Sequence, residues 1–418
     1  MVDVFAGRVA VIGLGYIGLP TAVVLATRGI EVIGVDTNPR TIEAIERGEV
    51  PFVEPDLAVA VSGAVSMGRL KATTETPEAD AFIVAVPTPF NDDHTADLSY
   101  IRAAVEQIAP KLRGGEVVIL ESTSPPGTSL LMSQWLAELR PDLHLPHLAD
   151  AVPDVHVAHC PERVLPGRIM IEMLTNDRVV GGITKKCAEV AASIYRIFCQ
   201  GEILLTDASS AEMAKLVENA YRDVNIAFAN ELSLICESLR LDVWEVIEMA
   251  NRHPRVNILT PGPGVGGHCI AVDPWFIVGA APELSRLIRT AREVNDDKPN
   301  HVARQVIATA QRFREPTVAC LGLAFKPNVD DLRESPAVDI VGQICAGLPG
   351  VDVLVSEPFV QELPAKLSGL ANLTLTPADE AIEKADIVVL LVDHDPFRSL
   401  NRSRLAAKVV YDTRGLWR

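Results

Sequence analysis

Residues 262–274 read GPGVGGHCIAVDP: four glycines in six positions, then Cys269, then Asp273 four residues on. A thiol placed behind glycines is either a small buried hydrophobe or a nucleophile facing a ligand, and this stretch alone leaves both readings open. Upstream, Lys215, Asn219 and Arg222 fall at i, i+4 and i+7 of an uninterrupted apolar-periodic run, so they share one helix face. Such a stripe is ordinarily solvated. Beside a redox cofactor, a lysine one turn from an asparagine can donate to a developing oxyanion or take a hydroxyl proton. Arg252, His253 and Arg255 lie between this run and the glycines. They suit an anionic substrate, and an ordinary basic surface cluster fits them equally well.

The amino terminus supplies the redox cofactor. Arg8 to Ile12 (RVAVI) is a short β-branched run of the buried parallel-strand type. It leads into Gly13-Leu14-Gly15-Tyr16-Ile17-Gly18, an apolar helical stretch stopping at Gly29, and a second strand, EVIGV, closed by Asp36. A lone GxGxxG is weak, but strand, glycines, helix, strand and acid in this order form a dinucleotide fingerprint. Gly13 then makes the tight turn, Gly15 lets backbone N–H groups approach a pyrophosphate, and Gly18 packs helix on strand, with Tyr16 and Ile17 in the same turn. Asp36 accepts from the adenosine ribose hydroxyls and repels a 2′-phosphate, so the expected cofactor is NAD rather than NADP.

Three more apolar runs end in loops with polar residues. AFIVAV (81–86) precedes Thr88, EVVIL (116–120) precedes Glu121 and Thr123, and VHVAH (155–159) precedes Cys160 and Glu162. Ligands of open α/β sheets bind beyond the carboxyl ends of the strands, which makes Thr88, Thr123 and Glu162 candidate contacts, with a plain turn residue as the alternative for each. His144, His147, His156 and His159 beside Cys160 hint at a metal site, but His156 lies inside a predicted strand while His144 and His147 sit in a loop. No other metal-ligand spacing appears, so no metal is expected. A net charge of −17 argues against nucleic-acid and anionic-membrane binding, but not against a small anion held by a few local cations. The seven cysteines are dispersed with no CxxC, and there is neither a signal-peptide pattern nor a membrane-length apolar run. Together these point to a cytoplasmic protein with reduced thiols.

These residues need elements to position them, and 418 residues imply two or three domains. Ser209-x-x-Glu212 is a capping-box pattern opening a helix that runs without Gly or Pro to Leu241. At about 45 Å it is long enough to join two domains and offer an apolar face for a dimer. From Pro316 on, TVACLGLAF, VDVLVSEP, ADIVVLLVDH and KVVYDTRG are strands separated by helical stretches, a second doubly wound unit without a clean GxGxxG. Lys326 and Arg333, after its first strand, suit nucleotide phosphates. The expected fold class is α/β: two Rossmann-like domains, 1–205 and 301–418, joined by a long central helix within a dimerisation and active-site region, 206–300.

GLGYIGLP, VPTP, ESTSPPGT, CPERVLPG, AKLVENAYRDVNIAFANEL, GPGVGGHCIAVDP and GLAFKPNVDDLRESPA occur in this order along nearly the full length. Together they resemble the UDP-glucose/GDP-mannose dehydrogenase family. The resemblance implies a homodimer that oxidises the primary alcohol of a UDP-sugar to an acid, reducing two NAD. It implies that the Cys269 thiol adds to the intermediate aldehyde, giving a thiohemiacetal and then a thioester that water cleaves. Lys215 and Asn219 would stabilise oxyanions and take part in proton transfer, and Glu162 and Asp273 would handle the water or position the lysine. By the same resemblance Arg163, Val164, Arg222, His253, Arg255, Gly266, Phe325 and Lys326 contact the UDP-sugar. Arg333 contacts substrate or NAD, and Arg255 acts across the dimer.

Relatives acting on UDP-glucose carry Lys where this chain has Val272, and Asn-Pro-Glu-Phe-Leu where it has Cys160-Pro161-Glu162-Arg163-Val164. Those departures favour an N-acetylamino sugar: UDP-N-acetyl-D-mannosamine, for surface polysaccharide, with UDP-N-acetylglucosamine or UDP-glucose as alternatives. A two-electron β-hydroxyacid dehydrogenase shares the dinucleotide unit and the Lys-x3-Asn helix but needs neither a reactive cysteine nor a second nucleotide-like domain. A non-catalytic NAD-binding protein of the same descent has no use for Cys269, Lys215 and Asn219 together.

Overall fold

The computed structural model describes residues 5–418 except 53, 55, 92, 149–151, 166 and 268. The chain forms two compact units, one up to Glu218 and one from Asn219 on.

The first unit is built on eight strands: β1 (Val9–Ile12), β2 (Val32–Val35), β3 (Leu70–Thr73), β4 (Ala81–Val84), β5 (Val117–Leu120), β6 (His156–His159), β7 (Arg178–Gly182) and β8 (Ile203–Asp207). Their order is β3-β2-β1-β4-β5-β6-β7-β8, parallel throughout except for β6 against β7. Because β1 pairs with β2 on one side and β4 on the other, the chain switches direction across the sheet at β1, where a doubly wound fold takes its ligand. β1, β4 and β5 are buried along their whole length, as parallel strands covered by helices on both faces must be. Alternate residues serve alternate cores: Val9, Val11, Ile83 and Ile119 pack with Leu19 and Val23, while Ala10, Ile12, Phe82, Val84, Val118 and Leu120 pack with Ile101, Val105, Met132 and Leu136.

The long helix, Ala208–Leu239, follows β8 directly. The expected capping box is not made. Asp207 caps the helix instead, accepting from the N–H and the hydroxyl of Ser210. Glu212 turns away and accepts from the Gly127 and Ser129 N–H groups and the Ser129 hydroxyl, tying the helix to the loop after β5. The helix ends at Leu239, two residues before its expected limit, because Arg240 turns left-handed (φ 59°). The Leu241 N–H then bonds back to the Cys236 carbonyl at 2.8 Å.

The second unit carries β9 (Thr317–Leu321), β10 (Asp352–Ser356), β11 (Leu373–Leu375), β12 (Ile387–Leu390) and β13 (Val409–Asp412), all parallel in the order β11-β10-β9-β12-β13. This repeats the arrangement of β3-β2-β1-β4-β5. Arg292, on the helix Arg286–Ala310, is fully buried and donates to Asp223 at 2.6 Å, with Asn295 donating to the same carboxylate at 2.8 Å. A buried charge held this way fixes two helices against each other.

Candidate active site

The dinucleotide turn is shaped as its sequence predicts. Gly13 has φ 95°, and a Cβ there would lie 2.4 Å from the Ala85 carbonyl oxygen; at Gly18 it would lie 1.9 Å from the Gly13 carbonyl oxygen. Both glycines are therefore demanded by the protein's own backbone. Gly15 differs: a Cβ there meets no atom of the chain within 4 Å, so its lack of a side chain serves something other than folding. Asp36, at the end of β2, accepts from Leu14 N at 2.9 Å and Asn38 N at 2.8 Å. Tyr16 stacks on Phe52 with ring centroids 4.2 Å apart, and Ile17 immediately precedes the helix Gly18–Thr27. Beyond β4, Thr88 is buried and its hydroxyl has no hydrogen-bond partner among the described residues, while Thr123 beyond β5 is half-buried. A buried hydroxyl without a partner is costly unless a ligand satisfies it. Open space at Gly15, an acid at Asp36 and an orphaned hydroxyl at Thr88 together fit NAD.

At the end of β6, Glu162 is buried and fully gripped. Its Oε2 accepts from Arg178 at 3.0 Å and its Oε1 from the Arg163 N–H at 2.7 Å. The Arg163 guanidinium pairs with Glu218 at 2.5 Å and donates to the Asp177 carbonyl, and Val164 packs at the edge of the first core. Sequence reading assigned no role to Arg178 or to its neighbours Glu121, Thr21 and Tyr195. The one available signal is an arginine opening the apolar run RVVGG, where a charge needs a buried partner.

In the second unit, Cys269 is an exposed thiol on the turn that delivers Asp273: the Asp273 N–H bonds to the Cys269 carbonyl at 2.9 Å. Asp273 is buried in the first turn of the helix Asp273–Ala280 and accepts from the Asn219 amide at 2.5 Å. Folding thus brings Asn219, Cys269 and Asp273 together, with Lys215 one turn before Asn219 on the long helix. Arg222, His253 and Arg255 are exposed.

The glycines ahead of Cys269 have a reason the sequence did not show. A Cβ at Gly266 would lie 2.5 Å from the Glu334 carbonyl oxygen and 3.0 Å from the Phe325 Cβ; at Gly267 (φ 82°) it would lie 3.0 Å from the Phe325 ring. They let this loop pack on the loop after β9, independently of any substrate. On that loop Lys326 lies over the Phe325 ring at 5.6 Å, and Arg333 is paired with Asp331 at 2.6 Å. Among the described residues no group of three or more His, Cys, Asp or Glu side chains is gathered for a metal ion, and no helix is long and apolar enough to cross a membrane.

Comparison with known proteins agrees with this geometry. Residues 7–199 match the NAD binding domain, 209–297 the central domain and 319–418 the UDP binding domain of the UDP-glucose/GDP-mannose dehydrogenase family. The chain is 58% identical over 416 residues, covering 100% of it and 97% of the relative, to NDP-N-acetyl-D-galactosaminuronic acid dehydrogenase of Ralstonia nicotianae. It is 54% identical over 418 residues, 98% of this chain and 99% of the relative, to UDP-N-acetyl-D-mannosamine dehydrogenase of Escherichia coli. The solved UDP-D-ManNAc dehydrogenase of Pyrococcus horikoshii superposes with a TM-score of 0.88 at 38% identity, covering 98% of this chain and 96% of that one. With all three family domains present in order and relatives of more than half identity along its whole length, the chain belongs to the UDP-glucose/GDP-mannose dehydrogenase family.

Proposed function

We propose that the protein oxidises the primary alcohol of a UDP-N-acetylhexosamine to the uronic acid by two successive two-electron steps, with UDP-N-acetyl-D-mannosamine as the sugar. The observation that carries this reading is the exposed Cys269 thiol on the turn leading into Asp273, whose carboxylate holds the Asn219 amide. NAD, matched to the turn at residues 13–18 and to Asp36, accepts hydride at each oxidation. Lys215 takes the hydroxyl proton as the alcohol becomes aldehyde. The Cys269 sulfur then adds to the aldehyde carbon, and the resulting thiohemiacetal oxygen is stabilised by Lys215 and by the Asn219 N–H not engaged with Asp273. Loss of hydride leaves a thioester, and water displaces the thiol to release the acid. Glu162 and Asp273 are assigned to that water or to the positioning of the lysine. Arg163, Val164, Arg222, His253, Arg255, Gly266, Phe325 and Lys326 are assigned to the UDP-sugar and Arg333 to substrate or NAD.

A galacto-configured N-acetylhexosamine is the second reading, favoured by the 58% identity to a relative named for N-acetyl-D-galactosaminuronic acid. The protein is further proposed to be a cytoplasmic homodimer. An exposed apolar row on the long helix, Tyr221, Phe228, Ile235 and Leu239, supports the dimer.

The test is NADH release from UDP-linked mannosamine, glucosamine, galactosamine (all N-acetylated) and glucose, with acid counted per NADH. Two NADH per acid and preference for an N-acetylated sugar are expected. Cys269→Ala should abolish acid formation while NAD binding survives; acid formed at the wild-type rate by that variant would refute the thioester route.

A further inference from the structure

Two carboxyl groups and one guanidinium are sealed together beneath the carboxyl end of the first sheet. Arg178 opens β7, is 4% exposed, and lies with its guanidinium 5.0 Å from the Tyr195 ring and 5.1 Å from the Phe198 ring. It donates to Glu162 at 3.0 Å and to the Cys160 sulfur at 3.9 Å. Glu121, at the end of β5 and 1% exposed, completes the cluster. One cation cannot balance two buried carboxylates, so one of the two must hold a proton.

The hydrogen bonds decide which. Among the described residues Glu162 hydrogen-bonds only to obligate donors, the Arg178 guanidinium and the Arg163 N–H, and a protonated carboxyl there would turn its own hydrogen against a donor. Among the described residues the Glu121 carboxyl hydrogen-bonds only to hydroxyls, that of Thr21 on the helix Gly18–Thr27 at 2.9 Å and that of Tyr195 at 3.3 Å. A hydroxyl can reverse and accept from a carboxylic acid.

We propose that Glu121 is a positioning residue that holds one proton beside Glu162, leaving Glu162 the ionised partner of Arg178. This rests on the role given to Glu162 above. Burial first, then the neighbouring Glu162 charge, pushes the Glu121 carboxyl up to about 8, against the pull of Arg178 and the Thr21 and Tyr195 hydroxyls. Cys160 and Tyr195, the other titratable groups against it, are both pushed up by burial and stay neutral. Above that range a second buried carboxylate forms, competes for Arg178 and loosens Glu162.

Glu121→Gln keeps the shape of the acid without its titration. The variant is expected to retain wild-type kcat near neutrality within about twofold, whereas the wild type is expected to lose kcat around pH 8 and the variant to lack that fall. An unmoved alkaline limb overturns the proposal, as does a folded, NAD-binding Gln variant that is inactive at neutral pH. Stability gives a readout independent of turnover. The folded chain keeps this proton up to about pH 8, whereas an unfolded Glu releases it near 4.5, so wild-type stability falls with rising pH between those limits and the Gln variant lacks that component. Should the variant fail to fold, infrared titration of the wild type decides: no protonated carboxyl lost around pH 8 sinks the idea. Unchanged acid production by Glu162→Gln would remove the role given to Glu162 while leaving the Glu121 titration in place, so the two failures are distinguishable.

Discussion

Asp36 and Glu357 occupy matching places, each at the end of the second strand of its sheet order, yet they do different work. Asp36 accepts two N–H bonds at half-buried and exposed sites and keeps room for further donors, as a ribose-binding carboxylate must. Glu357 is buried and saturated by Leu323 N at 2.7 Å, Ala324 N at 3.0 Å, Phe359 N at 3.1 Å and the buried His394 at 3.0 Å. The second unit has therefore closed the acid that the first unit offers to the cofactor. Replacing Asp36 by Asn removes the charge that repels a 2′-phosphate. The preference for NAD over NADP, measured as the ratio of kcat/KM, should narrow by at least about tenfold, or 1.4 kcal/mol. An unaltered ratio would mean that cofactor choice is made elsewhere. The residues of the dinucleotide turn were legible in the sequence because five local features succeed one another in order. The shared cluster of Arg178, Glu162 and Glu121 was not legible, since it exists only once β5, β6 and β7, more than 50 residues apart from first to last, lie side by side.

At the scale of elements, the same residue type answers to different masters. Gly15→Ala meets nothing of the protein within 4 Å, so thermal stability should change by no more than about 0.5 kcal/mol. NAD affinity should drop at least about tenfold, because the methyl enters the space a pyrophosphate needs. Gly267→Ala should behave in the opposite way. Its φ of 82° and the Phe325 ring 3.0 Å away predict a loss of roughly 1–3 kcal/mol in unfolding free energy, and NAD binding by the folded fraction should be unchanged. Calorimetry beside NAD titration checks both, and equal effects of the two substitutions on both measurements would refute this division. The strands show the same contrast between local and distant causes. Nine strands announced themselves as apolar runs, but β3 alternates buried and exposed residues, β8 leaves Leu204 and Leu205 exposed, β11 has three residues, and β7 begins with a charge. Each of these four is short, partly exposed or opened by a charge, and depends on its neighbours for pairing.

For the whole molecule, the long helix poses the remaining question. Tyr221, Phe228 and Ile235 recur every seven residues, with Leu239 one turn further, and are 71%, 55%, 49% and 62% exposed. A row of this kind on one helix face is what a second copy of the chain can cover, since a two-fold interface presents the same surface twice. Phe228→Asp places a carboxylate on each side of such a contact and should turn a dimer into a monomer by light scattering; a wild type that is already monomeric excludes the interface. Whether the partner also completes the chemistry is tested by mixing. If Arg255 reaches the partner's substrate, Cys269→Ala and Arg255→Ala homodimers each lack one essential group in every site. Their heterodimer has one site with both. Random reassociation at equal amounts makes half the dimers mixed with one competent site of two, so about a quarter of wild-type activity should return. Were Arg255 to serve its own chain, the mixture would show no more activity than the separate variants, because every site would still lack either the thiol or the guanidinium.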